Sequence, residues 1–188
     1  MGLVKNILIT GLPGIGKTTL IKELSQGLRN FHPVGFYTSE IRDGGMRKGF
    51  ELISLNGRKN LLSHVDIKSS HRFGRYKVDI ESFEDFLSSI LFFNPSADLI
   101  MIDEIGKMEC LSEKFRKLLT EILDSEKGVI ATIALKGDGF IEGIKKRRDI
   151  KLYEVTPNNR DIVFSEILNS THEILGGSSH SEFKKQKF

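Results

Sequence analysis

Apolar residues in this chain gather in short unbroken runs, and between those runs they recur at helical spacing. The first run, Asn6-Ile7-Leu8-Ile9-Thr10, predicts a buried strand. A glycine-rich stretch follows, and then Leu20, Ile21, Leu24 and Leu28 predict a helix over Thr19 to Leu28. Val34-Gly35-Phe36-Tyr37-Thr38 reads as a second strand, with a loop at Asp43-Gly44-Gly45. Asn56-Gly57 separates two strand-like runs, Phe50 to Leu55 and Arg58 to Leu62, and is a strong hairpin signal. An antiparallel meander is therefore expected between the first helix and the next. His71 to Ile80 sets Arg72, Arg75 and Lys77 between aromatic residues and reads equally as an extended segment or a solvated loop.

Ser82 predicts a helix start, with Asp85 forming a weak capping box, and Asn94-Pro95 stops that helix after about Phe93. Leu99-Ile100-Met101-Ile102 is continuously apolar, as expected of a strand covered on both faces, and it ends in Asp103-Glu104. Ser112 opens a helix whose apolar stripe is Phe115, Leu118, Leu119, Ile122 and Leu123, with Gly128 closing it. Val129 to Leu135 is strand-like, Lys136 to Gly139 a turn, and Ile141 to Arg148 a short helix. Lys151 to Val155 is a last strand, and a final helix runs from Asn158 or Asn159 to about Leu175. Strands alternating with helices predict a mostly parallel, doubly wound α/β sheet flanked by helices, with the meander inserted.

Composition narrows the class. At 188 residues, with 39% hydrophobic and 28% charged, the chain suits one globular domain with a sizeable core. The expected division is a domain over residues 1–175 and a polar, lysine-rich tail over 176–188 that is expected to be disordered. No apolar run reaches the ~18 residues of a membrane span, and the N-terminus lacks the profile of a secretory leader. One cysteine, Cys110, excludes an internal disulfide and fits a reducing, cytoplasmic compartment. The five histidines are scattered and show no zinc spacing. A net charge of +3 is too small to argue for nucleic acid as a partner. Much of it sits in Lys145-Lys146-Arg147-Arg148 and in Lys184-Lys185-Gln186-Lys187.

The chemistry begins at Gly11-Leu12-Pro13-Gly14-Ile15-Gly16-Lys17-Thr18, followed by Thr19. This fits G-x-x-x-x-G-K-[ST], the P-loop (Walker A), and it stands between a strand and a helix as that motif requires. Glycines let the backbone approach an anion closely, and successive N–H groups with the helix N-terminus attract phosphate. Lys17 would serve the β- and γ-phosphates, and the Thr18 hydroxyl would hold Mg²⁺. An apolar strand ending in aspartate is the Walker B pattern, so Asp103 is the second candidate for Mg²⁺. Glu104, directly after it, is the candidate general base for an attacking water. In a doubly wound sheet ligands sit beyond the carboxyl ends of the strands, where both Gly11 and Asp103 fall.

Positive charge on the departing phosphate has six arginine candidates, Arg42, Arg47, Arg72, Arg75, Arg147 and Arg148, and the sequence does not choose among them. Thr132 reads either as a γ-phosphate sensor or as a buried threonine bonded to backbone.

The segments GLPGIGKTTLIKEL, VGFYTSEIR, RFGRYKVDIESFE, LIMIDEIGKMEC and VIATIALKG together resemble the small nucleoside-triphosphatase family that includes the thermophilic and the cancer-related nucleoside-triphosphatases. The likeness runs from about Lys5 to Phe164. It implies a RecA-like P-loop fold and slow Mg²⁺-dependent hydrolysis of several nucleoside triphosphates to diphosphate and phosphate. It also implies a nucleotide site made of Gly11 to Thr18 and the stretch Leu99, Ile100, Met101, Ile102, Asp103, Glu104, Ile105 and Gly106. Cys110 stands where similar sequences are expected to carry leucine.

Three other readings remain open. Asp103-Glu104-Ile105-Gly106 also fits D-x-x-G, and Leu135-Lys136-Gly137-Asp138 approaches the guanine-reading N-K-x-D of regulatory GTPases. Leucine in the first position cannot supply the amide, so broad base selection over ATP, GTP, CTP and UTP is expected instead. A nucleotide or small-molecule kinase could use the arginines of the meander as a lid. A nucleic-acid-stimulated ATPase would use the basic clusters.

Overall fold

The computed structural model describes residues 4–176, so the expected tail lies outside the described residues apart from Gly176. Strand β1 (Asn6–Gly11) leads into helix α1 (Lys17–Gly27). Strands β2 (Val34–Asp43), β3 (Met46–Ser54) and β4 (Lys59–His64) follow, then the short β5 (Arg72–Phe73) and β6 (Tyr76–Val78). Helix α2 (Ile80–Ser88), β7 (Leu99–Ile105), α3 (Glu113–Asp124), β8 (Gly128–Ile133), α4 (Gly139–Lys145), β9 (Ile150–Val155) and α5 (Arg160–Gly176) complete the chain. Among the described residues no helix is long and apolar enough to cross a membrane.

The nine strands of the described residues lie in one sheet, ordered β5-β6-β4-β3-β2-β7-β8-β1-β9. From β2 to β9 every neighbouring pair is parallel. The meander is antiparallel and continues the same sheet outward from β2. The segment left open between strand and loop is thus a small hairpin, β5 with β6, turning at Gly74-Arg75.

Alternation along each central strand divides the core. Leu8, Ile100, Ile102, Val129 and Ala131 face α2, α3 and α4. Ile7, Ile9, Leu99, Met101 and Ile130 face α1 and α5. A strand buried on both faces has no polar side to display, which explains the unbroken apolar runs. On the first face Phe36, Phe83 and Phe86 meet edge to face, with centroids 6.3 and 5.7 Å apart, and Phe83 also packs on Phe115 at 5.3 Å.

Three sequence expectations change. Asp79, not Ser82, caps α2: its carboxyl accepts the Ser82 N–H at 3.0 Å, and the helix ends at Ser88 rather than near Phe93. The first turn needs an acceptor ahead of Ile80, and Asp79 lies where the preceding strand delivers it. Strand β2 runs through Asp43 instead of stopping at Thr38, because β3 begins at Met46 and pairs with it from Phe36 to Asp43. Gly128 opens β8 rather than closing α3; its missing side chain leaves room for Leu175 of α5, 3.1 Å from where a Cβ would stand.

Phe83 is fully buried and anchors α2 to both the sheet and α3. Phe83→Ala should lower the unfolding free energy by about 3–5 kcal/mol, measured by urea denaturation.

Candidate active site

The P-loop leaves the carboxyl end of β1 and becomes the first turn of α1. Gly14 and Gly16 have φ of 75° and 99°, which side chains disfavour, and Gly16 is the N-cap of α1. Among the described residues no side chain caps that helix, and no acidic residue occupies its first turn. The N–H groups there are accordingly available to an anion, in the field of the helix N-terminus. Lys17 is buried and donates to the carbonyls of Gly11 at 3.1 Å and Leu12 at 3.4 Å, which fold its ammonium back across the loop.

Asp103 is completely buried at the carboxyl end of β7. Its Oδ2 accepts the Thr18 hydroxyl at 2.7 Å and the Thr38 hydroxyl at 3.2 Å, with the Thr38 N–H more distant at 3.4 Å. Its Oδ1 accepts the Thr132 hydroxyl at 2.6 Å. Strand order explains the arrangement. β8 lies between β7 and β1, and β2 lies on the other side of β7, so Thr132 and Thr38 flank the aspartate while Thr18 reaches it from α1.

Between Ile102 and Ile105 the register of β7 against β8 shifts, and the Asp103–Glu104 peptide bond is cis. Glu104 is half-buried. Burial raises its carboxyl above the ordinary range; the Lys17 ammonium opposes the rise and the Asp103 charge adds to it. A base of raised pKa, facing the lysine of a phosphate cradle, is suited to accept a proton from water.

Of the stretch Leu99 to Gly106, only its end reaches this site. Leu99, Ile100, Met101 and Ile102 are fully buried in the two cores and pack the sheet, and Ile105 packs beside them. The likeness that placed them in the nucleotide site followed the chain, whereas in the folded strand Glu104 alone of this stretch is not buried.

The arginines separate by position. Arg147 bonds to Asp124 and Asp149, and Asp149 also accepts from Asn6, so this cluster sits at the amino ends of β1 and β9, the far side of the sheet from the P-loop. Arg47 donates to Tyr76 and Glu40 and lies over the Phe50 ring, while Arg75 donates to Tyr76 and the Arg47 carbonyl. Arg42 pairs with Glu40. Arg160, absent from the sequence candidates, is the arginine beside the loop. Its Nε is 3.6 Å from where a Gly16 Cβ would stand, and it is bonded to Glu23 at 2.6 Å. Thr38 and Glu109 are likewise absent from the sequence candidates. The available signal for Thr38 was a hydroxyl near the end of a parallel strand; for Glu109 it was an acid between the apolar residues Met108 and Cys110.

Among the described residues no three histidine, cysteine, aspartate or glutamate side chains converge as a metal cage. Thr18 and Asp103 instead present a small set of hard oxygens, which suits Mg²⁺, a cation that keeps several waters and arrives with phosphate.

Comparison with known proteins agrees with this architecture. The family model described as NTPase matches residues 6–168. The nucleoside-triphosphatase THEP1 of Thermotoga maritima is 48% identical over 164 residues, covering 87% of this chain and 93% of that protein. The human cancer-related nucleoside-triphosphatase is 37% identical over 182 residues, covering 88% and 96%. The crystal structure of THEP1 from Aquifex aeolicus superposes with a TM-score of 0.80 at 36% identity, covering 88% of this chain and 98% of that one. The chain belongs to this NTPase family and has its P-loop fold.

Thr132→Val keeps the shape of the side chain but leaves Asp103 Oδ1 without that donor. The variant should lose about 1–3 kcal/mol of stability in urea unfolding, as expected for a buried acceptor deprived of its partner.

Proposed function

We propose that this member of the NTPase family hydrolyses nucleoside triphosphates to diphosphate and phosphate, with broad base tolerance and in the presence of Mg²⁺. The observation that carries the reading is Glu104: a half-buried acid of raised pKa, directly after the buried Asp103 and in the field of Lys17. The N–H groups at the start of α1 and the helix field would bind the phosphates, and Lys17 would move from the loop carbonyls to the β- and γ-oxygens. Thr18 and Asp103 would hold Mg²⁺, which supplies neutralisation of the phosphate charge. Glu104 would orient a water and take its proton as the oxygen attacks the γ-phosphorus, with the diphosphate leaving.

Base tolerance follows from Asp138. In a guanine-reading site this position would bind the base, but here its carboxyl accepts the N–H groups of Phe140 and Ile141, both at 3.1 Å, as the cap of α4. Together with Leu135, which has no amide to offer, this leaves that loop without a base-reading pair. The kinase reading loses support because Arg42, Arg47 and Arg75 bond within the meander itself.

Glu104→Gln should retain nucleotide binding and lose at least ~100-fold in turnover, measured by phosphate release and by calorimetric titration of a non-hydrolysable triphosphate. Lys17→Ala should lose both. Rates for ATP, GTP, CTP and UTP should lie within about tenfold of one another, since pocket contacts to a base that is not hydrogen-bonded discriminate weakly. A rate confined to GTP would defeat the proposed base tolerance. Because burial raises the Glu104 carboxyl, turnover should fall as pH drops through a value above its ordinary 4.5, once the base becomes protonated.

A further inference from the structure

The P-loop has a second border, on the side away from Asp103. Strand order runs β7-β8-β1-β9, so the acids at the end of β7 stand to one side of the loop and β9 adjoins it on the other. Gly11 pairs with Val155, and a Cβ on Gly11 would lie 2.7 Å from the Val155 carbonyl oxygen, so these two strand ends are in close contact. One residue braces the link from β9 to α5. The Asn159 carboxamide accepts the Thr156 N–H at 2.8 Å and donates to the Glu154 carbonyl at 2.9 Å. Arg160, the first residue of α5, is thereby delivered to the start of α1.

The side chain of Arg160 is held at its rim. Its Nε and Cδ lie 3.6 and 4.0 Å from where a Gly16 Cβ would stand. One terminal nitrogen donates to Glu23 of α1 at 2.6 Å, and the other faces Asp161 at 3.6 Å. Gly16 and Glu23 are two turns apart, so the arginine lies along one face of the P-loop helix. An ion pair made in the guanidinium plane leaves the flat faces to other partners. Arg47, Arg75 and Arg116 each lie over an aromatic ring, whereas among the described residues no ring covers Arg160. Its side chain is 29% exposed.

On the reading of the P-loop and Glu104 as a triphosphate site, the γ end of a bound substrate points toward β7. The nucleoside then leaves the loop in the other direction, toward β9 and Arg160. We infer that Arg160 is a nucleoside-binding residue: the purine or pyrimidine of the substrate stacks on its guanidinium, which Glu23 holds in place. Every base has a π face, and stacking on a guanidinium asks for no hydrogen-bond pattern. Arg160 thus supplies affinity for the nucleoside without choosing a base, in keeping with the broad tolerance proposed above. A grip on phosphate is the rival role. It suits Arg160 less, because the terminal nitrogens that would clasp phosphate oxygens already serve Glu23 and face Asp161.

The test titrates wild type, Arg160→Ala, Arg160→Lys and Arg160→Tyr by calorimetry in the presence of Mg²⁺. The ligands are non-hydrolysable analogues of ATP, GTP, CTP and UTP and, in parallel, inorganic tripolyphosphate. Arg160→Ala should weaken all four analogues by at least ~10-fold, as expected for a lost base stack. Tripolyphosphate has no base, and its affinity should stay within about threefold of wild type, since the charge removed is a surface one already paired with a carboxylate. Arg160→Lys keeps the charge but has no plane, and should bind the analogues as poorly as Arg160→Ala. Arg160→Tyr has a plane and no charge, and should recover most of the loss. In steady-state phosphate release from ATP, the effect should fall on KM rather than on kcat.

Three results would each overturn the inference: wild-type affinity for the analogues in Arg160→Ala, recovery by lysine, or a tyrosine variant as weak as the alanine one. So would tripolyphosphate weakened as much as the nucleotides, which would make Arg160 a phosphate or packing residue. If wild type releases phosphate from ATP while any of these holds, only this inference fails. A wild-type protein that neither binds nor hydrolyses ATP would remove the triphosphate reading and the inference with it.

Discussion

One buried carboxyl holds the site together. Asp103 has no exposed surface, and a buried acceptor without donors costs about 1–3 kcal/mol or more, so its oxygens must find partners in the protein. The partners come from three other elements: Thr18 from α1, Thr38 from β2 and Thr132 from β8. Satisfying one side chain thus fixes the P-loop helix against three strand ends. The hydroxyls are short and belong to regular elements, so their positions vary little. This is why a loop and a strand separated by 85 residues in sequence can act at one point.

The same economy of position applies just past the strand end. The register shift after Ile102 turns Glu104 toward Lys17, while the closed turn at Gly106 folds Glu109 in behind. Gly106 has an ordinary backbone conformation, so its glycine answers a steric demand rather than a conformational one: two carboxyl ends already occupy the space of a side chain. At this strand end Asp103 is satisfied by its three threonines.

What the sequence made legible was what is local. The P-loop, the apolar run into Asp103-Glu104 and the Ser112 cap of α3 depend on spacing within a few residues, and each is found where spacing puts it. What stayed hidden depends on neighbours distant in the chain. The nine-strand order cannot be read from runs of valine and isoleucine, and without it Thr38 and Thr132 have no reason to meet Asp103. Arg160 follows β9, and only the pairing of β9 with β1 brings it to Gly16. Arg147 looked like a candidate because its charge is visible, whereas its pairing with Asp149 at the opposite strand ends is not. The Asp79 cap was missed for a smaller reason, since Ser82 is as good a capping residue in isolation and only the end of β6 decides between them.

Cavity size is a poor guide to chemistry in this fold. A groove of about 1000 Å³ lies between α2 and α3, lined by Leu87, Leu91, Phe93 and Leu118 together with Glu84 and Lys114. It is on the sheet face opposite α1, and its walls are mostly apolar. A triphosphate carries concentrated negative charge, and what selects its site is field and donor density. N–H groups at an uncapped helix start, a folded-back lysine and hard oxygens at the strand ends supply these. An apolar groove offers volume without donors, and placing phosphate there would strip its hydration with nothing to replace it. The P-loop thus offers a triphosphate what the groove lacks, an uncapped helix start and a lysine in place of apolar walls.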